Sequence, residues 1–192
     1  MIRMSSPTTP KALARIVGEI DATATRVAAD EASLRGAVEL TEAADRVFVH
    51  GAGRSGLALR MTAMRLMHLG LDVHVVGETT TPAIREGDVL IAASGSGTTS
   101  GVVRAAEIAT AAGARVLAIT TDPGSRLSQL ATVHVTVPAA AKTDRSEQSS
   151  SQYAGSLFEQ VLVLLGDALF DVLWRRDGAS ADELWPRHAN LE

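Results

Sequence analysis

Two short segments of this 192-residue chain combine glycine with side chains that can hold an anion. The first, Gly51-Ala-Gly-Arg-Ser-Gly56, has the G-x-G-x-x-G spacing that lets a backbone turn approach a phosphate group. The second, Ser94-Gly-Ser-Gly-Thr-Thr-Ser100, crowds hydroxyls around two glycines. Where such a turn opens a helix, free backbone N–H groups attract an anion, and Ser and Thr hydroxyls add donors at adjustable angles around tetrahedral oxygens. One hydroxyl would do no more than cap the helix, but this short run carries more than a cap requires. It lacks the Lys of a nucleotide P-loop, so a phosphomonoester on a small molecule fits better than a triphosphate.

Taken alone, the first loop also fits a dinucleotide site, and Glu78 lies about 20 residues further on, where a ribose-binding acid is expected. Against this, only a short segment follows the predicted sheet, leaving no place for a second substrate. Glu159 is a third candidate. On an ideal helix at about 100° per residue, Gln160, Asp167 and Asp171 share a polar stripe, whereas Glu159 projects away toward Val163, Gly166 and Phe170. Ser156-Leu-Phe-Glu159 also has the form of a capping box, in which Glu folds back onto its own helix start. From the residues alone both roles stand. His68, at the end of a helix over 57–69, reads first as a cation favouring a helix C-terminus.

The elements that must position these residues follow from periodicity. Ala, Leu, Val and Ile recur at helical intervals from Lys11 to Asp30 and from Glu31 to Ala44, which predicts two amphipathic helices forming an N-terminal arm over 1–45. Short β-branched runs then alternate with helical segments: Arg46–His50, Val73–Val76, Val89–Ala93, Val116–Thr120 and Val133–Val137, with helices beginning near Ser55, Thr98 and Ser125. The expectation is a single α/β domain over 46–176, a five-stranded parallel sheet with helices on both faces in a flavodoxin-like three-layer arrangement. Such sheets bind ligands beyond the carboxyl ends of their strands, where both glycine loops fall. Ala139–Gly155 is long for an idle connection and reads either as a lid or as a surface loop. A helix from Ser156 to Trp174 and a tail over 177–192 complete the chain.

A formal charge of −4, with no Lys/Arg cluster longer than a pair, offers no field for nucleic acid. There is no cysteine, hence no disulfide or thiolate metal site. No apolar run approaches membrane length and the start lacks the core of a signal peptide, so a cytoplasmic protein with no membrane partner is expected.

In these features the sequence resembles the sugar isomerase (SIS) domain family, whose hallmarks are a glycine loop after the first strand and a Ser/Thr-rich phosphate loop after the third. Within it, the chain is similar to the 6-phospho-3-hexuloisomerase family through Gly51-Ala-Gly-Arg-Ser-Gly56, Ala63-Met-Arg-Leu-Met-His-Leu-Gly70, Ser94-Gly-Ser-Gly97, Leu157-Phe-Glu-Gln160 and Arg187-His-Ala-Asn-Leu-Glu192. The resemblance implies interconversion of D-arabino-hex-3-ulose 6-phosphate and D-fructose 6-phosphate through a cis-enediol. That is a step of the ribulose monophosphate route of formaldehyde fixation, coupled to a hexulose phosphate synthase. It implies that Ser94, Ser96, Thr98 and Thr99 hold the phosphate, while Ser55 and the backbone of Gly53 and Arg54 line the sugar. Glu159 matches the family's proposed base, and His68 matches a histidine that reaches the site of a neighbouring subunit in a homotetramer. No metal or redox cofactor is expected. Arg187 and His188 stay outside the catalytic set, as a tail that frays or packs for assembly. The rivals are a phosphoheptose isomerase and a non-catalytic sugar-phosphate sensor. Sensors usually add a DNA-binding helix-turn-helix, for which an arm carrying Glu19, Asp21, Asp30 and Glu31 is too acidic.

Overall fold

The structure is a computed structural model that describes residues 8–140 and 150–191. Its five strands, β1 (Val47–Gly51), β2 (Val73–Val75), β3 (Val89–Ala93), β4 (Arg115–Thr120) and β5 (Val133–Thr136), pair in parallel in the order β2-β1-β3-β4-β5. The helices are α1 (Thr9–Ala28), α2 (Glu31–Glu42), α3 (Gly53–Leu69), α4 (Ser100–Ala111), α5 (Arg126–Leu130), α6 (Ser156–Asp177) and α7 (Ala181–Leu184), followed by a 3-10 turn at Trp185–Arg187. Helix α4 starts two residues later than expected, because Thr98 and Thr99 remain in the loop; α6 runs three residues past Trp174 to a left-handed Gly178.

Alternation along the central strands divides them between two apolar layers. Val47, Val49, Val89, Ile91, Leu117 and Ile119 face the layer of α2, α3 and α6, while Phe48, Leu90, Ala92, Val116 and Ala118 face α4 and α5. Both faces are covered, which is why these strands are continuously apolar. Order 2-1-3-4-5 reverses direction between β1 and β3, and sheets of this kind bind ligands beyond the carboxyl ends of their strands at such a switch point. At the opposite edge Arg46 grips Asp88 in a bidentate pair at 2.6 and 3.0 Å, with the Asp88 side chain fully buried. The Arg85 N–H also donates to Asp88 at 2.8 Å.

Helices α3 and α6 approach closely where Gly166 meets Thr62, since a Cβ on Gly166 would overlap the Thr62 hydroxyl. Thr62 is buried and bonded to its own helix at Ala58 O, so it has little room to yield. Gly166→Ala is therefore expected to destabilise the protein by about 1–3 kcal/mol through overpacking, read as a lower urea midpoint at unchanged m. An unchanged midpoint would show that the two helices can separate without cost. Beside this contact an apolar cavity of about 140 Å³ lies among Leu34, Val38, Ile119, Leu165, Leu169 and Val172.

Candidate active site

The turn from β1 into α3 is as tight as its spacing predicts, but its glycines divide the work. A Cβ on Gly56 would collide with Gly51 O, and one on Gly51 would come within 3.0 Å of Gly56 N. These two glycines seat the strand end against the helix start, a close packing that such a turn serves as readily as it serves ligand binding. Gly53 alone has φ +57 with open space around it. Ser55 is buried just beneath. Glu78 is half exposed and pairs with Arg60 of α3.

The loop between β3 and α4 is braced from below and open above. The Gly95 carbonyl accepts from Thr120 Oγ1 at 3.1 Å, Thr121 Oγ1 at 2.8 Å and Thr121 N at 3.0 Å. Gly97, at φ +63, packs against Ser125, and its carbonyl accepts from Leu127 N at 3.0 Å. Ser94 is buried with its hydroxyl 2.8 Å from Thr99 Oγ1, whereas Ser96 and Thr98 are exposed and bonded to each other at 3.0 Å. No side chain caps α4, so the first turn of a 12-residue helix faces this hydroxyl cluster.

Glu159 comes to the same rim. The capping box is not formed: Gly155, in the left-handed region, is the N-cap of α6 with no side-chain bond, and Ser156 Oγ donates instead to Tyr153 O at 2.7 Å. The Glu159 side chain is only 5% exposed and its Oε2 lies 2.6 Å from Arg54 Nε, while Arg54 is 64% exposed. Phe158, one residue before, packs beneath Gly95. The β1 loop, the β3 loop and the start of α6 thus converge on one carboxylate.

The Arg54 side chain is a partner that sequence reasoning missed, having assigned only its backbone. A signal was present: a cation in the first turn of a helix opposes the helix dipole, so an Arg there calls for a local anion.

His68 lies elsewhere on the chain. It is 5% exposed, and burial first, then the nearby His188 and Arg65, hold its protonation below the ordinary histidine range. The expected helix-end cation is therefore not what the structure places there. From Ser55 to His68 the helix rises about 20 Å, at about 1.5 Å per residue, so His68 and Glu159 do not meet within one chain.

A doubly wound parallel sheet with a hydroxyl-rich helix start and a sheltered carboxylate on the same rim places the chain among the three-layer α/β domains. The SIS domain matches residues 39–164, and the chain belongs to that family. It is 64% identical over 147 residues to a 3-hexulose-6-phosphate isomerase of Mycobacterium gastri, covering 77% of this chain and 74% of the relative. It is 41% identical over 149 residues to the enzyme of the same name from Bacillus subtilis, covering 77% and 80%. A crystal structure of a Methanococcus jannaschii protein, for which a 3-hexulose-6-phosphate isomerase function was inferred, superposes with a TM-score of 0.82 at 28% identity, covering 95% of this chain and 99% of that one.

Proposed function

We propose that the chain is a 3-hexulose-6-phosphate isomerase, interconverting D-arabino-hex-3-ulose 6-phosphate and D-fructose 6-phosphate. The observation that carries this is the convergence of the hydroxyl loop and the buried Glu159, paired with the exposed Arg54, on one rim. Ser94, Ser96, Thr98 and Thr99, with the start of α4, hold the phosphate; Gly53, Arg54 and Ser55 line the sugar. Glu159 takes the proton from C2 and leaves a cis-enediolate across C2 and C3. The O2 proton passes to O3, and Glu159 returns a proton to C3, which leaves the carbonyl at C2. The exposed Arg54 guanidinium is placed to balance charge as it develops on the oxygens.

His68 of a second copy completes the site and moves the proton between the oxygens. In support, Leu57, Met61 and Met64 form an exposed apolar stripe along α3 between its two ends. Two copies of α3 packed antiparallel about an axis near Met61 would bring each His68 toward the other's Arg54. Exposed Leu13 and Val17 on α1 offer a second surface for a homotetramer. In this reading 46–176 is the phosphosugar-binding unit, 1–45 an assembly arm and 177–192 a tail. No helix among the described residues is long and apolar enough to cross a membrane. We place the enzyme in the cytoplasm, on the ribulose monophosphate route of formaldehyde fixation, beside a hexulose phosphate synthase. Residues 141–149 of the expected lid lie outside the described residues.

The test is to supply hexulose 6-phosphate made in situ to the purified protein and follow fructose 6-phosphate. Turnover is expected; tight binding without turnover would mark a sensor. The phosphate should matter to the rate: three charge-assisted bonds at about 1.5 kcal/mol each amount to about 10³-fold in kcat/KM for phosphorylated over free hexulose. Equal values would leave the hydroxyl loop without a role.

A further inference from the structure

The tail folds back on the far end of α3. His188 stacks on His68 with ring centroids 4.0 Å apart and planes 24° from parallel, and the Trp185 ring lies 4.6 Å from His188. His188 Nδ1 sits 3.2 Å from Trp185 O; a carbonyl only accepts, so a neutral His188 carries its proton on Nδ1. Arg187 Nη1 donates to the His68 carbonyl at 3.0 Å, satisfying one of the free carbonyls at the end of α3. Room for that guanidinium comes from Gly70, where a Cβ would lie 3.1 Å from Arg187 Cζ and where φ is +99.

A histidine kept only to complement a helix C-terminus works best exposed and charged. His68 is instead buried, and its Nδ1 has no hydrogen-bond partner among the described residues although it is shut off from solvent. Leaving a polar nitrogen so placed is costly unless a group outside the folded chain meets it. The tail supplies the cover and leaves Nδ1 unbonded.

We propose that His188 is a positioning residue for His68: with Arg187 it fixes the plane and burial of the His68 imidazole, so that the tail belongs to the reaction machinery. This rests on the assignment of His68 to the isomerase site. Of the charged and titratable groups around His68, Arg65 of α3, Arg187 and His188 are cationic or can become so, while the carboxylate of Asp167 of α6 is directed to Arg65 at 3.9 Å. Burial and these neighbours favour a neutral imidazole at pH 7. A neutral ring can accept a proton from one sugar oxygen and donate one to the next.

The test compares His188→Ala, His188→Phe and His68→Asn with the wild-type protein, by NMR titration of the His68 ring and by steady-state kinetics. With the stack removed, the His68 midpoint should rise and kcat should fall about 10- to 100-fold, with KM within about three-fold. His188→Phe retains a ring in the stack and should recover most of kcat, which a general loss of folding would not allow. An unchanged His68 midpoint in His188→Ala would overturn the proposal. So would normal kcat in His188→Ala when His68→Asn is inactive, and the isomerase reading would then survive. A fully active His68→Asn would remove His68 from the reaction and the positioning role with it.

Discussion

Glu159→Gln should lower kcat by about 10²–10⁴-fold while KM stays within about three-fold, because a general base contributes in that range and acts only in the transition state. Glutamine keeps the shape of the side chain, so the substitution removes the proton acceptor and the charge that pairs with Arg54 while leaving the packing in place. The Arg54 guanidinium, 64% exposed, remains solvated without its partner, and the start of α6 is held independently by Gly155 and by Ser156 on Tyr153 O. The variant should therefore fold, bind phosphosugar and fail to turn it over. Single-turnover kinetics beside a ligand-binding measurement check both parts. Near-normal turnover would move the base elsewhere on the rim.

The second large effect concerns stability at the opposite edge of the sheet. Asp88→Ala should cost about 3–5 kcal/mol, because it strands Arg46 beside a buried site and removes the acceptor of the Arg85 N–H. That is a large share of the roughly 5–15 kcal/mol that holds a domain together. The loss also has a defined pH dependence. Burial alone would push the Asp88 carboxyl up, but hydrogen bonds from Arg46 and Arg85 N–H, with the charge of Arg46, hold it below the ordinary carboxylate range. A depressed folded-state pKa gives stability that is complete above the unfolded value, about 3.9, and is lost as pH falls from there through the folded value. Urea unfolding at pH 7 and at a series of lower pH values should show the gap between wild type and Asp88→Ala narrowing below about pH 4. A gap that stayed constant into acid would mean that Asp88 acts by packing alone.

Much of the fold was legible because the decisive signals are local. β-Branched runs mark strands buried on both faces, and the two glycine loops fall where parallel strands hand over to helices. What was hidden depends on contacts between distant segments. Ser156 and Glu159 have the spacing of a capping box, but Ala154 at φ 47 and Gly155 at φ 80 turn the entry to α6 so that Ser156 faces Tyr153 and Glu159 faces Arg54. A box of that kind does form, at Ser180 and Glu183, where no competing partner draws the acid away. The docking of His188 on His68 joins residues 120 positions apart, which no periodicity reveals. Gly51 and Gly56 were legible as a turn, yet only the atoms packed around each Cα distinguish them from Gly53, which has open space around it.

The most direct measurement takes Glu159→Gln and His68→Ala, each expected to be inactive alone, and refolds them together in equal amounts. If each site takes its carboxylate from one chain and its imidazole from the other, half of the pairs are mixed and one of their two sites is intact, so about a quarter of the wild-type activity should return. Recovery at that level would place Glu159 and His68 of different chains in one site. No recovery from mixtures shown to contain both chains in one assembly would contradict it.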